Sequence, residues 1–171
     1  MTIEEFARFL AQAQRSAVHL EMRDCYTPSD PAFIAWKAET PFDDSKLMTM
    51  WHGVIGEAVA RGVVVRRARI ISEPVTEYIA YEHSVTGMFN IAPGERVRWL
   101  PRRQASDLAL PGNDFWLFDD TLVLWNYFTG DGEPAGNDVT EDPAAAKLCA
   151  SAFEAVWERG INHEEYQPPY P

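Results

Sequence analysis

Residues Asp114 to Phe128, DFWLFDDTLVLWNYF, restrict the fold more than any other stretch, because they form two apolar runs broken by one acidic pair. Phe115 and Leu117 alternate with Trp116 and Phe118, and then Val123, Trp125 and Tyr127 alternate with Leu122, Leu124 and Phe128. A strand that is apolar on both sides belongs inside a covered sheet, not at a wet edge. Short acidic side chains hold tight turns by bonding to nearby backbone, so the pattern predicts a β-hairpin turning at Asp119-Asp120-Thr121.

The rest of the chain supplies the elements that cover such a sheet. Thr2-Ile3-Glu4-Glu5 is a capping box, followed by Phe6, Phe9 and Leu10 at helical spacing. From Ser16 to Tyr26 the period falls to two, which predicts a half-buried strand with Val18, Leu20 and Met22 inward and His19, Glu21 and Arg23 outward. Asp30-Pro31 opens a short helix carrying Phe33, Ile34 and Trp36, and a longer one with Leu47, Trp51, Val54 and Ile55 stops at Gly62. Val63 to Ser72 is a β-branched strand with arginines interleaved. A helix opening at Ser72-Glu73-Pro74 loses its pattern by Gly87, and Arg96 to Leu100 is a short strand. Thr129 to Asp142, rich in Gly and Asp, reads as an exposed loop before a last helix capped by Asp142-Pro143.

Strands separated by helices need crossover connections. The expected fold is therefore α/β: a mixed sheet with a parallel centre and a C-terminal antiparallel hairpin, with helices on both faces. A chain of 171 residues that is 46% apolar suits a single domain over residues 1–160. Residues 161–171, with three prolines, read as an extended or mobile tail.

Charge narrows the partners. The formal net charge is -11, which opposes direct nucleic-acid binding and attraction to anionic membranes. No apolar run approaches the roughly 20 residues that cross a bilayer. Cys25 and Cys149, far apart, read as reduced thiols of a cytoplasmic protein. Yet Arg61 to Arg103 contains eight arginines, no lysine and four acids, a local net of +4. Guanidinium groups favour bidentate recognition of carboxylate or phosphate.

Two readings of these arginines stand side by side. In one they reach the chain's own surplus acids. In the other Arg67, Arg69 and Arg98 project from one sheet face or end, with Arg102 and Arg103 just past a strand terminus where α/β sheets hold anions. Tyr78, Tyr81 and Trp99 would then line the crevice, with Asp114 at the start of the hairpin beside it. Asp119 and Asp120 read as turn chemistry rather than a cation site. The four histidines lie at no metal-ligand spacing, and GxGxxG, GxxxxGKS and GxSxG are absent, so no metal or cofactor is expected.

The segments LEMRDCY, RRARIISEPVTEYIAYE, APGERVRWLPRR and DFWLFDD resemble an uncharacterised actinobacterial domain family whose members are often encoded beside helix-turn-helix regulators and small companion proteins. The resemblance spans Phe6 to Trp157. It implies a bacterial cytosolic setting and a link to transcriptional control, and it carries no activity with it. The order strand, helix, short strand, aspartate-led hairpin also resembles one half of the phospholipase D fold. That likeness implies catalysis only with a His-x-Lys motif, and His19, His52, His83 and His163 are followed two places on by Glu21, Val54, Val85 and Glu165. The expectation is a non-enzymatic regulatory or interaction module, with a DNA-binding regulator of basic surface as partner and a homodimer as a further arrangement. The alternative is an anion-binding protein or enzyme with an arginine-lined pocket, including a degenerate phospholipase D-like domain.

Overall fold

A computed structural model describes residues 1–169. Seven strands form one mixed sheet in the order β6-β5-β4-β1-β2-β3-β7. Strands β1 (Ser16–Glu21), β2 (Val64–Ile71) and β3 (Arg96–Pro101) run parallel at its centre. Strands β4 (Asp114–Phe118) and β5 (Leu122–Phe128) form the expected antiparallel hairpin, which joins the sheet through β1. Every residue of β4 is buried.

The turn of that hairpin is tight because Asp119 and Asp120 both take positive φ, 50° and 61°. This is the pattern whose twist matches paired strands. The Asp119 carboxylate also accepts from the backbone N–H of Gln14 at 2.8 Å, Arg15 at 2.8 Å and Ser16 at 2.9 Å, which ties the turn to the start of β1. Asp119→Ala removes both acceptor oxygens of these three bonds and puts alanine, which tolerates left-handed backbone less well than aspartate, at that position. We expect it to cost about 2–3 kcal/mol in urea unfolding, with Asp119→Asn costing less because asparagine tolerates this backbone and keeps one acceptor. Equal costs for the two variants would disprove the capping role.

Helices cover both faces, as the pattern implied. On one side α5 (Pro143–Arg159) lays Cys149, Ala152, Phe153 and Val156 on Val18, Leu20, Ile70, Leu100 and Phe115. On the other, α1 (Ile3–Gln12) and α3 (Ser45–Ala60) pack Phe6, Leu10 and Ile55 on Ala17, Val65, Trp116 and Phe118. Beside them α2 (Pro31–Lys37) and α4 (Glu77–Thr86) pack Phe33, Tyr78 and Ile79 on Val97 and Trp99. Capping follows the sequence: Thr2 and Glu5 exchange both bonds of the capping box, and Asp30 and Asp142 cap helices that begin with proline.

Four local expectations need correction. Strand β1 is buried on both faces, since His19 and Glu21 are only 8% and 6% exposed. Helix α4 opens at Glu77, capped by Thr76 and not at Ser72-Glu73-Pro74, and at Gly87 it continues as a π-helical segment, Gly87–Ile91. The stretch after the hairpin holds an edge strand, β6 (Pro134–Thr140), paired antiparallel with β5. Its faces are mostly exposed, so no apolar alternation betrays it, while Pro134, Gly136 and the charge of Asp138 suit an edge that must not recruit a further strand. The C-terminal stretch is anchored rather than loose. Strand β7 (Ile161–Asn162) pairs with β3, and buried Tyr166 stacks on Trp99 and donates to Glu73 at 2.8 Å. Residues 170 and 171 of that stretch lie outside the described residues.

Candidate functional site

The two apolar clusters under α1/α3 and under α2/α4 do not merge, because a row of charged side chains separates them on the same sheet face. Register produces the row. Trp116 lies beside His19 and His19 beside Arg67, while Glu21 lies beside Arg69 and Arg69 beside Trp99. Side chains on neighbouring strands at matched positions share a face, so period two in β1 and β2 stacks acid against base there.

Glu21 is the centre. It accepts from Arg67 Nη1 through Oε1 and from Arg69 Nε at 2.5 Å through Oε2. Arg67 Nε donates to Glu95 at 2.8 Å, and Glu95 also accepts from the Asn90 amide at 2.7 Å. The π-helical segment carries Asn90 and so sets this contact. Arg69 donates to Thr86 Oγ1 at 2.6 Å and pairs with Glu82 at 3.1 Å. Both guanidiniums sit over aromatic rings, Arg67 over Trp51 and Trp116 and Arg69 over Trp99. Two guanidiniums thus face three carboxylates, Glu21, Glu82 and Glu95.

Burial and partner set each proton. Burial works to raise the Glu21 carboxyl, but the adjacent Arg67 and Arg69 outweigh it and hold it well below the usual range. Burial pushes Glu82 up to about 7 against the pull of Arg69. Asp114, beside this row, is likewise pushed by burial to about 7, although it accepts from Tyr26 Oη at 2.5 Å and the Met22 N–H at 3.0 Å. His19 is held neutral by burial and by Arg67. Its Nε2 lies 3.3 Å from the Asn126 amide nitrogen, whose oxygen accepts from Asn137, so Nε2 is the acceptor and Nδ1 carries the proton. Nδ1 lies 3.4 Å from Glu21, a contact between a neutral ring and a carboxylate rather than an ion pair.

Above the row opens a cavity of about 280 Å³ between the sheet and α1 to α4. Arg67, Arg69, Tyr78 and Tyr81 border it, as the anion reading anticipated. The other expected members do not meet there. Arg98 projects to the α5 side, donating to the Trp157 carbonyl at 2.7 Å and to Asn162 at 2.9 Å. Arg102 does lie at the strand ends, but it binds Asp24, Ser72 and the carbonyls of Met22 and Ile70. Arg103 is exposed next to it. Trp99 lies beneath Arg69 as a supporting ring, and Asp114 faces Tyr26. The convergence of all five arginines on one pocket is therefore overturned, because successive residues of a strand point to opposite faces and the strand-end position already has its own aspartate. Among the described residues no group of three or more His, Cys, Asp or Glu has metal-holding geometry. No helix among them is long and apolar enough to cross a membrane.

Glu21, Glu82, Glu95, Asn90 and Trp51 were missed as site members. The signal for Glu21 was present, since an acid at the centre of a strand opposite an arginine-bearing strand asks for a partner. Glu82, Glu95 and Asn90 come from the helical region before β3, where only the three-dimensional path brings them under the sheet.

This sheet, with its helices on both faces, is shared by phospholipase D-like proteins. The phospholipase D family member Nuc from Salmonella typhimurium superposes with a TM-score of 0.51 at 13% identity, over 93% of this chain and 88% of that one. NucT from Helicobacter pylori gives 0.51 at 14% identity, over 94% and 89%. The archaeal chromatin protein TrmBL2, whose structure is described as showing a novel mode of DNA binding, gives 0.50 at 14% identity, over 92% of this chain and 48% of that one. No curated protein is detectably similar in sequence. The chain belongs to the family described as Domain of unknown function (DUF6879), whose model matches residues 4–168.

Proposed function

We propose that the chain is a non-catalytic interaction module that acts with a basic partner protein, a DNA-binding regulator of the helix-turn-helix kind, in the cytoplasm. One observation carries this reading: the two buried guanidiniums at the centre of the fold have their counter-charges within the chain. Arg67 and Arg69, the residues best placed to hold a phosphate, are already paired with Glu21, Glu82 and Glu95. His19 has Glu21 two places on, where phosphodiester chemistry of the phospholipase D kind needs a lysine. A carboxylate there repels the anion that such chemistry must bind. A shared fold carries no activity without its site.

The net charge of -11 favours encounter with a positively charged surface and fixes its orientation. The unpaired thiols of Cys25 and Cys149 fit a reducing compartment. Two measurements test the reading together. The purified protein should leave bis(p-nitrophenyl) phosphate intact, and pull-down from native lysate at low salt should recover a DNA-binding protein that high salt releases. Turnover abolished by His19→Ala, or a low-salt pull-down without such a protein, would refute it.

A further inference from the structure

Trp51, Tyr78, Tyr81 and Phe89 line the cavity above the charged row, and Tyr81 meets Trp36 at 5.8 Å between ring centroids. Ring faces carry negative quadrupole density and attract cations. The carboxylates of Asp30, Asp44 and Glu82 line the same space. Arg67 and Arg69 also border it, but Glu21 and Glu95 already supply two carboxylates to these two guanidiniums, so Glu82, Asp30 and Asp44 leave negative charge predominant at the cavity. Glu82 Oε2 is buried without a hydrogen-bond partner, and a buried acceptor left so asks for a donor. Asp44 precedes α3 yet makes no capping bond, which leaves its carboxylate available.

We propose that this cavity binds an organic cation, an alkylammonium or alkylguanidinium group held between aromatic faces and the carboxylates of Glu82, Asp30 and Asp44. Its volume of about 280 Å³ suits one long basic side chain or a small amine, and is tight for a nucleotide. The stretch of residues 30–47 that walls the cavity also exposes Ile34, Trp36, Phe42 and Leu47. Apolar surface gathered beside a charged cavity suits a protein segment, whose apolar residues flank the inserted cation. The occupant is therefore a lysine or arginine side chain of a basic partner. In that form the inference rests on the reading above, whereas the cation site itself does not.

Isothermal titration with butylguanidinium chloride, butylammonium chloride and butyl phosphate tests the site. At pH 8, above the Glu82 value of about 7, either cation should bind saturably with Kd on the order of millimolar. Glu82→Gln and Asp44→Asn should each weaken it roughly tenfold, and butyl phosphate should show no saturable binding. Should Glu82→Gln fail to fold by circular dichroism, Asp44→Asn alone decides, since it removes no structural bond. Phosphate binding without cation binding, or cation binding untouched by Asp44→Asn and by any folded Glu82→Gln, overturns the site. A capped peptide with one arginine flanked by leucines then identifies the source. Binding tighter than butylguanidinium and weakened by the same variants supports a partner side chain. Peptide binding no tighter overturns that source in favour of a free amine, with the cation site intact. A regulator complex that forms while both small cations fail to bind overturns the site and leaves the interaction reading standing.

Discussion

Glu21→Ala is expected to cost the folded state about 3–5 kcal/mol, a large part of the roughly 5–15 kcal/mol by which a domain is stable. Glu21 is 6% exposed and accepts from both Arg67 and Arg69, themselves 7% and 3% exposed. Without it the two guanidiniums, two residues apart on β2, keep only Glu95 and Glu82 as counter-charges. The loss is that of two charge-assisted hydrogen bonds to buried guanidiniums, not of one neutral hydrogen bond. It should appear as a lower urea midpoint with an unchanged slope. The double variant Glu21→Ala with Arg69→Met should lose less than the sum of the two single changes, because it removes acid and base together. A cost for Glu21→Ala below about 1 kcal/mol would show that water reaches the row, as it does exposed ion pairs.

Stability should also fall as pH rises from about 5 to about 8. Glu82 moves from an ordinary 4.5 to about 7 on folding, and Asp114 from 3.8 to about 7. A carboxyl whose folded value is raised keeps its proton in the native state while the unfolded chain releases it. Its full contribution is therefore present below the unfolded value and is gone above the folded one. For Glu82 that difference is about 3 kcal/mol, and for Asp114 about 4 kcal/mol. Glu21 acts with the opposite sign. Its folded value is depressed, so its contribution is present above its ordinary 4.5 and is lost as pH falls below that value. The two effects together put maximum stability near pH 5. Glu82→Gln and Asp114→Asn should each flatten the fall above pH 5, measured by urea unfolding across the range. A flat wild-type profile there would mean that neither carboxyl keeps its proton on folding.

Much of the frame was written in local pattern. The doubly apolar run from Asp114 to Phe128 required an interior hairpin, and the Asp119-Asp120 pair located its turn. Capping residues Thr2, Asp30 and Asp142 marked three helices through bonds that reach only a few residues. Period two placed Arg67 and Arg69 on one side of β2, and that part of the site was legible. What the pattern could not supply was the neighbour on each strand. His19 and Glu21 alternate as a solvent-facing set would, and only the β1–β2 register turns that face inward against Arg67 and Arg69.

Local chemistry, then, determined the helices, the parallel centre, the hairpin and the surplus of negative charge, because backbone capping and side-chain periodicity act within a turn or a strand. Tertiary structure alone decided that the arginines serve the chain's own glutamates, that Arg98 and Arg102 lie apart from Arg67, that β6 and β7 close the sheet edges, and that Glu82 and Asp44 share one aromatic cavity. Those outcomes depend on pairings between residues far apart in the chain. The energy of a buried charge is set by whatever group packing brings within a few ångströms of it.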